Sequence, residues 1–237
     1  MNDVLGPLAV IVPAAGVGKR MRASCPKQYL TINKMTVIEH TVNRLLSCPE
    51  VDKVVIALGA NDEYFTGTGL ANNPRVETVI GGQERVDSVL AGLKALEPDK
   101  YTWALVHDAA RPCVPVKDIA NLILSCAESQ CGGLLAMPVR DTMKRSKANN
   151  RVEKTVERDG LWHALTPQMY KVGELIAAIE QGLQKGVIIT DESSAMEAAG
   201  LPSNLVAGSG KNIKITRPDD LALAEFILSK QQETVCE

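Results

Sequence analysis

Behind the apolar run at residues 8–12 the chain reads PAAGVGKRMRASCPK, and the residue types and spacing suit the handling of phosphate. Ala14, Ala15 and Gly16 are small enough for backbone to approach a ligand closely, and N–H groups of such a loop can face phosphate oxygens. Arg20 and Lys27 add fixed positive charge where a polyphosphate would lie. Two familiar patterns are excluded. Gly16-Val17-Gly18 begins a dinucleotide fingerprint, but Met21 stands where its third glycine belongs. Gly18-Lys19 could close a P-loop, but Pro13 replaces the first glycine and Arg20 replaces the Ser or Thr. A second chemical signal is Asp108, which directly follows a short apolar run and so stands at a strand's carboxyl end. An acid there can hold Mg²⁺ and accept from substrate hydroxyls.

The elements that must carry these residues are legible as periodicities. Short apolar runs at 8–12, 54–58, 76–80, 103–106 and 134–139 predict buried strands. Residues 37–46 and 86–96 have apolar residues at helical spacing, with Val86, Val89, Leu90, Leu93 and Leu96 on one face. Further helices are predicted at 174–184, closed by Gly186, and at 191–199, closed by Gly200. The last begins near Pro218, with Asp219 and Asp220 in the first turn as the helix dipole favours. This alternation predicts an α/β fold: a Rossmann-like, mostly parallel sheet with helices on both faces, binding ligands beyond the strands' carboxyl ends. Residues 1–237 read as a single domain. One segment breaks the rhythm. Residues 139–160 hold seven cations against four acids, with a turn at 147–150 between extended halves, which predicts a projecting β-hairpin arm.

Bulk properties narrow the function classes. A net charge of −2 and a pI near 6.0 leave no general field for nucleic acid or anionic membrane, and 3% aromatics are too few to stack single strands. Six cysteines form no C-x-x-C pair and three histidines accompany them, which argues against structural zinc. Scattered thiols predict a reduced, cytoplasmic protein. Asp3 and the lack of an early Lys or Arg argue against a signal peptide, and no apolar run reaches membrane-span length. Cys25, beside Pro26 in the cationic loop, is a candidate reactive thiol.

Six further blocks follow the loop in order: GGQERVDSV (81–89), HDAARP (107–112), RDTMKR (140–145), GLWHALTPQ (160–168), TDE (190–192) and NIKIT (212–216). With them the sequence resembles, from about residue 8 to residue 229, the nucleotidyltransferase family of the non-mevalonate isoprenoid pathway, which joins CTP to 2-C-methyl-D-erythritol 4-phosphate. The resemblance implies attack of the polyol phosphate on the α-phosphorus of CTP, with pyrophosphate leaving. A phosphate monoester, with a second pKa of about 6, is already largely dianionic at pH 7 and needs no general base. Catalysis then reduces to placing two anions in line and neutralising charge in the transition state.

By the same resemblance Arg20 and Lys27 stabilise the triphosphate and the departing pyrophosphate. Lys214, expected on a late strand, and Arg158, at the end of the arm, orient the incoming phosphate. Ala14, Ala15 and Gly16, with Gly81, Gly82, Gln83 and Ser88, hold CTP; a Gln83 carbonyl can accept from the cytosine amine. Asp108 and Arg111 are implied substrate contacts and Thr142, like Arg158, a contact to the substrate phosphate, with Asp108 also the Mg²⁺ ligand. Thr166 and Thr190 join them, although they read equally well as turn and N-cap residues. His107 reads as a packed, hydrogen-bonded histidine. The resemblance also implies a homodimer in which the arm crosses to the neighbouring subunit, so that Arg158 serves the partner's site. Two alternatives stay open at this point: a cytidylyltransferase for another polyol phosphate, such as ribitol 5-phosphate, and a catalytically dead nucleotide sensor. Retention of Arg20, Lys27, Asp108 and Lys214 together argues against the second.

Overall fold

The computed structural model describes residues 5–16 and 25–233. Strands in chain order are β1 (Leu8–Pro13), β2 (Thr31–Ile32), β3 (Met35–Thr36), β4 (Val51–Leu58), β5 (Val76–Ile80), β6 (Trp103–Val106), β7 (Gly133–Pro138), β8 (Met143–Ser146), β9 (Val152–Val156), β10 (Trp162–Lys171) and β11 (Asn204–Ala207). Helices are α1 (Val37–Leu46), α2 (Arg85–Lys94), α3 (Val116–Ser129), α4 (Val172–Gln184), α5 (Glu192–Ala198) and α6 (Asp219–Glu233).

β1 is apolar throughout because both its faces are covered. Leu8, Val10 and Val12 enter one core with Ile38 and Val42 of α1 and Ile119 and Leu122 of α3. Ala9 and Ile11 enter the other with Val89 and Leu93 of α2, Leu175 and Ile179 of α4, and Met196 of α5. Each such side chain, fully buried, contributes about 1.5–3 kcal/mol. The helices therefore lie on both faces of the sheet. α2 approaches so closely that a Cβ at Gly92 would stand 2.5 Å from Ile11 Cγ2; only glycine permits this contact. α1 opens with a reciprocal cap, in which the Thr36 hydroxyl accepts from Glu39 N–H and Glu39 accepts from Thr36 N–H at 2.7 Å.

Among the described residues the main sheet has seven strands in the order β11-β7-β10-β6-β1-β4-β5. β1 pairs in parallel with β4 and β6, β4 with β5, and β7 with β11, whereas β10 runs antiparallel between β6 and β7. The chain leaves β1 toward β4 and β5, then returns to β6 on β1's other side. That reversal opens a crevice between the loops after β1 and β6, where doubly wound sheets take their ligands. The segments after β1, β5, β6, β7 and β11 all leave the same edge of the sheet, so residues 14–16, 81–83, 107–108, the arm and 208–214 converge there.

The expected strands at 76–80 and 103–106 match β5 and β6 in extent, but β5 is not the buried strand expected: it lies at the sheet edge with Glu77, Thr78 and Ile80 exposed. The strand expected at 134–139 is displaced by one residue to β7. Five elements lay outside the periodicity reading: the short β2 and β3, α3, the reversed β10 and the short β11. Lys214 corrects an expectation, because it is on no strand. Its segment makes a local bond from Ile213 N to Lys211 O and joins Ala110 O through Ile215 N at 2.8 Å, instead of forming a ladder. The arm is the predicted hairpin. β8 and β9 pair antiparallel around a turn closed by Lys147 N to Arg151 O and by Asn150 at φ 59°.

Candidate active site

The loop after β1 is held from below. Ala14 N donates to Ala57 O (2.8 Å), and the buried Gln28 amide donates to Ala14 O (2.8 Å) and Gly16 O (3.1 Å). Next to Gln28, Lys27 Nζ donates to Ile215 O at 2.8 Å, which ties the cationic loop to the segment carrying Lys214. Arg20, Gly18 and Met21 lie outside the described residues. Across the crevice, the start of α2 folds tightly over Gly81 and Gly82. A Cβ at Gly81 would meet Ser88 Oγ at 2.7 Å and Ala15 Cβ at 2.9 Å, so the glycine lets these two loops touch. Ser88, buried, accepts from Gly82 N–H at 3.2 Å and fixes the turn.

These loops enclose a cavity of about 310 Å³ lined by Ala14, Ala15, Gly16, Lys27, Gly82, Gln83, Ser88, Asp108 and Lys214, among others. A second cavity of about 220 Å³ takes in Arg111, Thr166, Thr190, Asp108 and Lys214. The two share Arg85, Asp108 and Lys214 as a common wall. A larger cavity of about 740 Å³ sits at the opposite end of the sheet, beside Leu8 and Val51. Its one arginine, Arg75, is spent on the carbonyls of Leu46, Val51 and Asp52, so that cavity is set apart from the phosphate-handling residues.

Asp108 is the centre of the wall. Its Oδ1 accepts from Arg85 Nε (3.1 Å), and its Oδ2 accepts from Lys214 Nζ (2.8 Å) and Arg111 Nε (3.4 Å). Burial opposes its charge, but Arg85, Lys214 and Arg111 together outweigh burial and hold the carboxyl well below the usual carboxylate range. A closed ring of bonds fixes its position. Asp108 N donates to Thr166 Oγ1 (3.1 Å), Asn212 Nδ2 to Thr166 O (2.7 Å), and Arg111 Nη1 to Asn212 O (2.7 Å). His107 belongs to this scaffold. Arg111 O can only accept, so His107 Nε2 carries the proton toward it (3.1 Å), and Nδ1 accepts from the Thr166 hydroxyl (2.9 Å). Full burial lowers the His107 pKa to about 4 and keeps the ring neutral, as expected of a packed histidine.

Most expected residues therefore meet at one edge, in two adjoining cavities. Thr142 and Arg158 are outside both within a single chain; Arg158 is exposed at the base of the arm and donates to Arg140 O. Thr190 does not cap α5. Asp191 does so, accepting from Ser194 N at 3.0 Å, because a carboxylate suits the helix dipole better than a hydroxyl. Thr166 is a buried residue of β10 instead of a turn residue. The periodicity reading passed over Arg85, Glu192, Gln28 and Asn212. Arg85, Glu192 and Asn212 stand inside the quoted blocks GGQERVDSV, TDE and NIKIT, and that position was the signal available.

The larger cleft lies at the switch point of the sheet and is joined to the smaller polar one through the wall of Arg85, Asp108 and Lys214. The family model for 2-C-methyl-D-erythritol 4-phosphate cytidylyltransferase matches residues 8–230. The chain belongs to that family. The cytidylyltransferase of that name from Colwellia psychrerythraea is 60% identical over 230 residues, spanning 94% of this chain and 95% of its own. Its counterpart from Vibrio parahaemolyticus is 52% identical over 233 residues, spanning 98% and 100%. Among solved structures, a 4-diphosphocytidyl-2C-methyl-D-erythritol synthase superposes with a TM-score of 0.81 at 34% identity, over 94% of this chain and 98% of that one. The Francisella tularensis 2-C-methyl-D-erythritol 4-phosphate cytidylyltransferase gives 0.80 at 34% identity, over 93% and 99%.

Proposed function

We propose that the chain transfers the cytidylyl group of CTP to 2-C-methyl-D-erythritol 4-phosphate, releasing pyrophosphate and 4-diphosphocytidyl-2-C-methyl-D-erythritol. The observation that carries this reading is the pair of cavities meeting at Arg85, Asp108 and Lys214. The larger takes the nucleotide against Ala14–Gly16 and Gly82–Ser88, and the smaller takes the polyol against Arg111, Thr166 and Thr190. Lys214, half-exposed on the shared wall, neutralises the incoming phosphate as its oxygen attacks the α-phosphorus. Lys27, with Arg20, meets charge growing on the leaving pyrophosphate. Asp108, ionised and acceptor-only, receives polyol hydroxyls.

Among the described residues no cluster of three His, Cys, Asp or Glu could hold a metal on its own. Asp108, the expected ligand, already accepts from Arg85, Arg111 and Lys214, and one carboxylate so surrounded by cations does not fit Mg²⁺; a divalent cation would instead be held by the CTP phosphates. Such a cation would supply positive charge that offsets the charge of the phosphates. The active form is a homodimer with exchanged arms. The arm's strands are almost wholly exposed, Val152 at 63%, so its apolar atoms gain from a partner surface, and a two-fold dimer would carry Arg158 to the neighbouring site. No helix of the described residues is long and apolar enough to cross a membrane, and reduced, unpaired thiols suit a cytoplasmic enzyme without nucleic-acid or membrane partners. Pyrophosphate release measured with CTP, ATP, GTP and UTP against several polyol phosphates tests the assignment. Selective turnover of CTP with 2-C-methyl-D-erythritol 4-phosphate, abolished by EDTA, is expected; preference for ribitol 5-phosphate, comparable rates with ATP, or binding without turnover would overturn it.

A further inference from the structure

Arg85 is an odd choice for its position. It is the first residue of α2, where the helix dipole disfavours a cation. Its head instead reaches across the wall between the cavities. Nη1 and Nη2 fork onto Glu192 Oε1 and Oε2 at 2.6 and 3.2 Å, while Nε meets Asp108 Oδ1 at 3.1 Å. Glu192 is 2% exposed and stands at the start of α5, 107 residues away from Arg85. Around it, the buried Gln168 locks the helix start, accepting from Ser193 N (2.8 Å) and donating to Asp191 Oδ2 (2.9 Å). A buried ion pair of this kind is seldom better for stability than apolar residues of the same volume. What it does supply is direction: a planar fork clamped at one end can point its third donor at only one place.

We infer that Arg85 and Glu192 are positioning residues for the polyol phosphate, Glu192 clamping the Arg85 fork and Arg85 fixing the face that Asp108 presents to the polyol hydroxyls. The inference rests on the smaller cavity being the polyol phosphate site. Two fixed cations, Arg85 on Oδ1 and Arg111 on Oδ2, set the carboxylate plane, while Lys214, the most exposed of the three, is the one able to leave for a phosphate. Misplacing the carboxylate should then weaken the polyol phosphate selectively, because the cytosine end of the nucleotide cavity is built from Gly81–Ser88 main chain and does not depend on Asp108's orientation.

The double variant Arg85→Gln/Glu192→Gln in the full chain separates positioning from structure, since a Gln–Gln pair leaves no unpaired buried charge. Melting close to the wild type is expected, with a KM for 2-C-methyl-D-erythritol 4-phosphate raised about ten- to a hundredfold and a KM for CTP within about twofold, as a mis-set hydrogen bond to a charged group requires. An unchanged KM for the polyol phosphate in a folded double variant would make the pair structural only. Equal rises for both substrates would also overturn the inference. Should the double variant not fold, Arg85→Lys is read the same way, because lysine keeps the charge but cannot fork onto Glu192 and reach Asp108 together. A wild-type chain inactive with this substrate pair would remove the functional reading itself, before any variant is compared.

Discussion

Replacing Lys214 with alanine separates catalysis from stability more cleanly than any other single change at this site. Among the described residues the ammonium makes one ion pair, 2.8 Å from Asp108 Oδ2, and its side chain is 40% exposed. With Asp108 buried and Lys214 largely open to solvent, that pair contributes on the order of 1 kcal/mol. Its loss leaves no orphaned buried charge, since Asp108 keeps Arg85 at 3.1 Å and Arg111 at 3.4 Å. For a chain of this size the melting temperature should therefore fall by no more than about 2–4 °C. The catalytic cost is of another order. Lys214 stands on the wall shared by both cavities, which the proposed reaction places between the two substrates, and losing one preorganised donor to developing charge typically costs about 10²–10³ in rate, or about 2.7–4 kcal/mol of barrier. The assay is pyrophosphate release at saturating CTP with 2-C-methyl-D-erythritol 4-phosphate varied, beside a thermal melt of the same preparation. A variant that turns over at near wild-type kcat would refute the placement of Lys214 on the reaction path. A melting temperature lowered by tens of degrees would equally refute the reasoning, because it would mean that Asp108 depends on Lys214 for its burial.

Lys27→Ala and Arg20→Ala should each lower kcat more than they raise the KM for CTP, because charge on the leaving pyrophosphate grows mostly in the transition state; a change confined to KM would reassign the residue to ground-state binding. If arms are exchanged, Lys27→Ala and Arg158→Ala refolded together in equal amounts should regain about a quarter of wild-type activity, since half the dimers are mixed and each has one intact site. Confirmed heterodimers with no recovery would place Arg158 in its own chain's site. The neutral His107 makes stability depend on pH. Its pKa is about 4 in the fold against about 6.5 unfolded, so the unfolded chain binds the extra proton between these values. That contribution, on the order of 3 kcal/mol, is complete above about pH 6.5 and is lost as pH falls through about 4. Denaturant titrations from pH 7 to 4 should show this slope in the wild type and a flatter one in His107→Asn; parallel slopes would remove His107 as the cause.

Much of this molecule is written locally in its sequence. A strand buried on both faces has to be a short, unbroken apolar run, which is why β1 and β6 could be read directly, and α1 shows its apolar face and its Thr36–Glu39 cap within residues 36–46. The small-residue loop 14–16 and the cations of the arm were legible for the same reason: their conformational or electrostatic meaning is carried by neighbours in the chain. Gly81 and Gly82 were reached only through the resemblance, because Gly81 is required where Ala15 meets it across the crevice. The reversed β10 was not. Its first three residues are exposed and the next six, polar Thr166 and Gln168 among them, are buried, so it has neither a uniform apolar run nor an alternation, and its place between β6 and β7 follows from pairing with strands distant in sequence. The site divides along the same line. Asp108 could be expected at a strand end, but its three cations come from residues 85, 111 and 214, and the carboxylate that clamps Arg85 lies at 192. A charged side chain carries no periodicity and reads as solvated until the fold supplies its partner. Only tertiary packing, by withdrawing water from Arg85, Asp108 and Glu192 at once, turned ordinary surface residue types into a fixed network.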